Sequence, residues 1–240
     1  MQRVDGRFPA QLRQVKITRD YLRYAEGSVL IETGRTKVIC AVSIDERVPV
    51  FLRGMGTGWL TAEYGMLPRS TQNRIPREIA GKGMRGRTQE IQRMIGRTLR
   101  AVVALERIGA RTIQIDCDVI EADGGTRTAS ITGAWVALYD AVEKMHKEKL
   151  IEKGVILNQV AAVSVGIVDG TPLLDLCYEE DAKAEVDMNI AMVPLGEIVE
   201  IQGTAERKPF SLEFMNQMLT MAKEGITQLF QLQREVLKLG

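Results

Sequence analysis

Asp123-Gly-Gly-Thr-Arg-Thr-Ala-Ser130 stands between two segments of different hydrophobic period, and its reading decides the fold. Before it, Arg111-Thr-Ile-Gln-Ile-Asp-Cys-Asp-Val-Ile120 alternates and is rich in β-branched residues, so it reads as a strand. After it, Ile131 to Met145 carries the apolar spacing of a mostly buried helix. Two glycines permit a tight turn and a close approach of backbone to ligand. The helix that follows presents unpaired backbone N–H groups and the positive end of its dipole. With hydroxyls at Thr126, Thr128 and Ser130 and the guanidinium of Arg127, the stretch reads as an anion site suited to phosphate. A glycine turn closed by a hydroxyl N-cap is the plainer alternative. GxxxxGK[ST] and GxGxxG are both absent here, so this is neither a P-loop nor a dinucleotide fingerprint.

Outward from this turn, strands and helices come in groups. Val29–Ile31, a Gly34-Arg35 turn and Val38–Val42 predict a hairpin, and Trp59–Tyr64 a further strand. Residues 68–87, with Pro68, Pro76, Gly81, Gly83 and Gly86, predict an irregular basic loop. Thr88–Arg107 reads as a helix with its stripe at Ile91, Ile95, Leu99, Val102 and Val103. Val160–Val168, an Asp169-Gly170 turn and Leu173–Tyr178 predict a second hairpin, and strands are expected over Glu185–Val193 and Ile198–Gln202. Ser211 caps a long C-terminal helix with apolar Met215, Met218, Leu219, Ala222, Ile226 and Leu229. The class expected is α+β, with mixed sheets and packed helices, in one compact domain over residues 1–240.

Hydrophobic residues make up 45% and charged residues 26%, an ordinary soluble balance. No apolar run reaches about 18 residues and no signal peptide is recognisable, so a cytoplasmic protein without membrane contact is expected. Cys40, Cys117 and Cys177 lie in strand-like segments without CxxC spacing and read as small core residues. His146, the only histidine, sits near a helix C-terminus, which argues against histidine acid–base chemistry.

The net charge of +1 conceals an asymmetry. Between positions 69 and 100, Arg69, Arg74, Arg77, Lys82, Arg85, Arg87, Arg93, Arg97 and Arg100 face only Glu78 and Glu90. Between 175 and 206, nine acids face only Lys183. A focused basic surface and a separate acidic one follow. Arg87, at the start of one helix, is a candidate to converge with Arg127 on a single anion; a surface ion pair is the alternative. In the acidic stretch Leu176–Asn189, Asp187 lies between Val186 and Met188, where a carboxylate is costly unless paired or metal-bound. Asp181, at the bend of an expected acidic hairpin, would swing beside it, and two hard oxygen ligands suit Mg2+ assisting a phosphate group; a solvated acidic turn is the alternative. Arg69, Arg74 and Arg77 suit successive phosphates of single-stranded nucleic acid, or else a subunit interface. Arg93, Arg97, Arg100 and Arg107 read as an interface or solvated helix face.

Several stretches together resemble the ribonuclease PH family of bacterial phosphorolytic 3′→5′ exoribonucleases, which trim tRNA precursors. They are Asp5-Gly-Arg7, Gly58-Trp-Leu-Thr-Ala-Glu-Tyr64, Met66-Leu-Pro-Arg69 and Gly86–Arg97, followed by Arg111–Asp118, Ala122–Ala134, Tyr178–Asp181 and Ala184–Asn189. The resemblance spans nearly the whole chain. It implies a ribosomal protein S5 domain 2-like fold of the RNase PH type, assembled as a homo-hexamer (a trimer of dimers). It implies that Arg87, Gly125, Thr126 and Arg127 hold inorganic phosphate, that Asp181 and Asp187 are the catalytic, metal-associated carboxylates, and that Arg69, Arg74 and Arg77 engage RNA. The reaction implied is phosphate attack on the terminal phosphodiester of tRNA precursors and other RNA 3′ ends. It releases a nucleoside diphosphate, and the reverse direction adds nucleotides. An archaeal-type exosome subunit, or a ring subunit that only binds RNA, remain alternatives. The presence of Arg127, Asp181 and Asp187 together weighs against the last.

Overall fold

The hairpin expected around Gly34 forms the spine of the first sheet. In the computed structural model, which describes residues 3–78, 86–206 and 208–239, β2 (Gly27–Thr33) and β3 (Thr36–Asp45) pair antiparallel. β1 (Val15–Arg19) pairs with β2, and β5 (Thr112–Glu121) with β3. β4 (Trp59–Met66) runs parallel to β5 at the edge, giving the order β1-β2-β3-β5-β4. A parallel pair needs a crossover, supplied here by helix α1 (Gly86–Arg100). Lys82 and Arg85 of the expected basic loop lie outside the described residues.

The second sheet is antiparallel, in the order β7 (Thr171–Leu174), β6 (Ala161–Val168), β8 (Val186–Met192), β9 (Ile198–Ala205). Asp169 and Gly170 both take positive φ, 47° and 70°, as the type I′ turn between β6 and β7 requires. Helix α2 (Thr126–Lys147) packs on β2 and β3 of the first sheet and on β6 of the second, so it lies between them. Helix α4 (Leu212–Leu237) covers the other face of β6, where Val163, Val165 and Ile167 meet Met218, Ala222, Ile226 and Phe230. β6 is thus buried on both faces, which explains its unbroken apolar run. Ser211 caps α4, its Oγ accepting from the Phe214 N–H at 3.3 Å. The class is α+β. Among the described residues no helix is long and apolar enough to cross a membrane.

Four expectations need correction. Helix α1 stops at Arg100, not Arg107. Val102 and Val103 are buried beyond its end, where Ala104 N–H donates to Val155 O and Leu157 N–H to Val102 O, so pairing with the 155–157 segment displaces the helical bonds. The strand after Gly170 ends at Leu174, because Asp175 turns into the left-handed region (φ 55°). The acidic stretch is no hairpin: β7 and β8 flank β6 on opposite sides, joined through the short helix α3 (Tyr178–Asp181). Cys177 therefore precedes α3 rather than lying in a strand, while Cys40 and Cys117 do face each other across β3 and β5, Sγ to Sγ 3.9 Å, as free thiols in the core.

Candidate active site

The glycine turn leaves β5 and enters α2 directly. Gly125 is the N-cap in the left-handed conformation (φ 65°, ψ 22°), and Thr126 and Arg127 form the first helical turn. The N–H groups of that turn have no preceding helical carbonyl to bond and face outward. Gly124 (φ 75°) is required by proximity: a Cβ there would lie 2.5 Å from Leu176 O and 2.7 Å from Cys177 C. Only glycine lets the turn lie against the chain entering α3. Its carbonyls are held from behind, with Arg13 Nη1 donating to Asp123 O at 2.5 Å and Thr36 Oγ1 to Gly124 O at 2.6 Å.

Arg13 is itself buried and paired with Asp175, Nη2 to Oδ1 2.6 Å and Nε to Oδ2 3.0 Å. Close by, Arg3 forms a two-pronged pair with Glu180, Nε to Oε1 2.8 Å and Nη2 to Oε2 2.6 Å, both side chains almost fully buried. Arg3 and Arg7 also donate to the Asp175 carbonyl. The N-terminal segment thereby straps α3 and its final residue, Asp181, against the glycine turn.

Asp187 projects from β8 beside Asp181. Burial, then the charge of Asp181, push the Asp187 carboxyl up from the usual 3.8 to about 6, and Arg127 and Arg87 oppose the rise. Burial also raises Asp181, again opposed by Arg87 and Arg127, while Glu206 pushes both carboxyls upward. The same two arginines act on Tyr64, whose hydroxyl is raised chiefly by burial. Its oxygen lies 2.9 Å from Thr126 Oγ1. Arg87, Gly125, Thr126, Arg127, Asp181 and Asp187 are thus brought together from α1, α2, α3 and β8, as two arginines, one helix N-terminus and two carboxylates.

Arg69, Arg74 and Arg77 are exposed on the loop after β4 and are not among the charges acting on these carboxyls. That loop runs beside the turn, because Ala122 N–H donates to Ser70 O at 2.8 Å. Glu78 ties it to α1 by accepting from Thr88 Oγ1 at 2.5 Å. The hydroxyls of Thr128 and Ser130 do not face the site: each donates to a carbonyl of its own helix, Gly125 O at 3.0 Å and Thr126 O at 2.8 Å. Of the arginine row on α1, Arg97 pairs with Glu200 (2.6 Å), and Arg100 lies over the Trp59 ring (4.7 Å) and donates to Leu60 O.

The sequence alone assigns no role at the site to Tyr64, Arg3, Arg13, Asp175, Glu180 or Glu206. Asp175 carries the same signal that marks Asp187, a carboxylate between apolar neighbours, here Leu174 and Leu176.

The raised carboxyl of Asp187 fixes the sign of a pH effect. A carboxyl whose pKa rises on folding leaves the folded state holding an extra proton between about pH 4 and 6. Stability should therefore fall as pH rises through that window and level off above it. Asp187→Asn should flatten this limb in thermal melts taken from pH 4 to 7.5. Parallel curves for the two proteins would mean Asp187 titrates normally.

Two family models match in succession. The 3′ exoribonuclease family domain 1 of the RNase PH type matches residues 11–142, and its domain 2 matches residues 158–225. The first span contains the anion turn, the second both carboxylates. A crystal structure of rice (Oryza sativa) Rrp46 superposes with a TM-score of 0.79 at 19% identity, over 98% of this chain and 100% of that one. A chain of the Archaeoglobus fulgidus exosome, solved with RNA bound to the active site, superposes with a TM-score of 0.78 at 20% identity, over 96% of this chain and 92% of that one. At these identities the two structures establish a common fold. With both domain models matched in order, this chain belongs to the RNase PH family of 3′ exoribonucleases.

Proposed function

We propose that this protein is a phosphate-dependent 3′→5′ exoribonuclease. One observation carries the reading: Arg87 of α1 and Arg127, in the first turn of α2, act on the same pair of half-buried carboxyls, Asp181 and Asp187. An anion site set against a carboxylate pair is what phosphoryl transfer between two anions requires. Inorganic phosphate would lie between Arg87, Arg127 and the N–H groups following Gly125, with Thr126 beside it. A phosphate oxygen attacks the terminal phosphodiester, the bond to the 3′ oxygen of the penultimate nucleotide breaks, and a nucleoside diphosphate leaves. The reverse reaction extends the RNA.

The donor set fits Mg2+. One or two carboxylates completed by phosphate oxygens are the usual holding of that ion, and Asp181 and Asp187 supply such a pair. When bound by Asp181 and Asp187, it would neutralise charge developing on the transferred phosphorus group. Arg69, Arg74 and Arg77 grip the RNA backbone on its way to the site. The substrates proposed are tRNA precursors and other RNA 3′ ends, processed in the cytoplasm by a homo-hexameric ring.

Arg127→Ala should weaken phosphate binding by about 1.5–3 kcal/mol, the value of a charge-assisted hydrogen bond, read as a raised KM for phosphate. Neutralising Arg69, Arg74 and Arg77 together should lower RNA affinity and make the log–log salt slope shallower by up to about 3 units, without base preference appearing. An intact assembly with unchanged affinity and slope would remove the loop from RNA binding. Collapse into smaller particles would instead place these arginines at a subunit boundary. The function as a whole is tested in reverse: RNA supplied with nucleoside diphosphates should lengthen at its 3′ end and liberate phosphate, in particles of hexameric mass by light scattering. A hydrolytic nuclease would not lengthen the RNA under any nucleotide concentration.

A further inference from the structure

Three elements of the site meet at one neutral side chain. Gln202, on β9, sits in register with Asn189 of β8. Its Oε1 accepts from Arg127 Nη1 at 3.1 Å, and its Nε2 donates to Glu90 Oε1. The amide orientation is settled by chemistry, since a guanidinium only donates and a carboxylate only accepts. Glu90 lies one turn beyond Arg87 on α1. Two residues along the same face of β9, Glu200 holds Arg97 of α1 at 2.6 Å. β9 thus fastens α1 at two points and links it to the first turn of α2.

We infer that Gln202 is the positioning residue that sets the Arg127 guanidinium for its anion while leaving its charge free. The inference rests on the phosphate reading above. Gln202 touches neither the anion nor the reacting atoms; it takes one donor of the Arg127 fork, Nη1, and leaves the others for the anion. A neutral amide suits this role. A carboxylate in its place would form an ion pair with Arg127, compete with phosphate for it and repel Glu90. An apolar side chain would release the guanidinium to other rotamers and strand Glu90.

The order of effects separates positioning from simple bracing. Gln202→Glu, almost unchanged in shape, should raise the KM for inorganic phosphate about tenfold or more, and Gln202→Leu less, by several-fold. At saturating phosphate both should keep most of the parent kcat. The exchanged pair Glu90→Gln with Gln202→Glu restores a donor and an acceptor between α1 and β9. It should recover the parent melting temperature yet keep the high phosphate KM, because a carboxylate still sits on Arg127. If the exchange restores phosphate KM as well, or if Gln202→Glu binds phosphate like the parent, Gln202 is only a brace and the inference fails. Loss of the phosphate reading looks different: the parent protein itself would then show no saturable dependence on phosphate.

Discussion

Asp187→Asn should lose activity by a factor of about a thousand or more while keeping the fold and nearly all RNA affinity. The amide has the shape of the carboxyl but no charge, so under the proposed metal role it would no longer hold a cation against the transferred group, and that share of the transition-state stabilisation would be lost. Electrostatic groups aimed at developing charge are worth about 2.7–4 kcal/mol each, or two to three decades in rate. Removing a ligand that also retains the ion should exceed this. RNA binding is assigned to Arg69, Arg74 and Arg77 on a different loop and should be spared. The substitution also removes a carboxyl that burial and Asp181 make costly to ionise, so the variant should melt higher than its parent at neutral pH. Near-parent turnover in this variant, or in parent protein held in excess chelator, would remove the metal role from Asp187.

The largest loss of stability should come from Asp175→Asn. Asp175 and Arg13 are both nearly inaccessible, 4% and 6% exposed, and bonded at 2.6 and 3.0 Å. Asparagine tolerates the left-handed backbone at this position, so the change isolates the charge. It leaves the Arg13 guanidinium buried without its counter-ion, which costs about 3–5 kcal/mol. The same guanidinium holds the carbonyls of Asp123 and Gly124, so phosphate affinity should fall with stability. Urea unfolding measures the first and phosphate titration the second. A stability change below about 1 kcal/mol would show that the pair is solvated and the strap dispensable.

The parts of this site that were legible in the sequence share one property: each is locally improbable. A carboxylate between Val186 and Met188, and an arginine inside a glycine turn at a helix start, conflict with their surroundings and so advertise a partner. Asp175 is equally improbable, but Leu173–Tyr178 reads as one strand, and the partner that compensates its buried carboxylate is Arg13, 162 residues earlier. Gln202 carries no local signal at all. A glutamine in an exposed edge strand is unremarkable until Arg127 and Glu90, 75 and 112 residues away in the chain, are placed against it. The arginine row from 87 to 100 could not be divided by periodicity either, since Arg87 acts on the Asp181 and Asp187 carboxyls, Arg97 fastens β9 and Arg100 covers Trp59. Val102 and Val103 continue the apolar stripe of α1 past its end at Arg100; pairing with 155–157 ends the helix there, and that pairing is long-range. Element type and period were local properties, whereas ends and pairings were set by residues far along the chain.

The most direct test of phosphorolysis is to incubate the protein with an RNA bearing a free 3′ end, with and without inorganic phosphate, and identify the released mononucleotide. Shortening that requires phosphate and releases only nucleoside diphosphates is expected, with phosphate label recovered in the β-position. Equal shortening without phosphate, yielding monophosphates, would make the enzyme hydrolytic and contradict the assignment of Arg87, Gly125, Thr126 and Arg127 to a phosphate co-substrate.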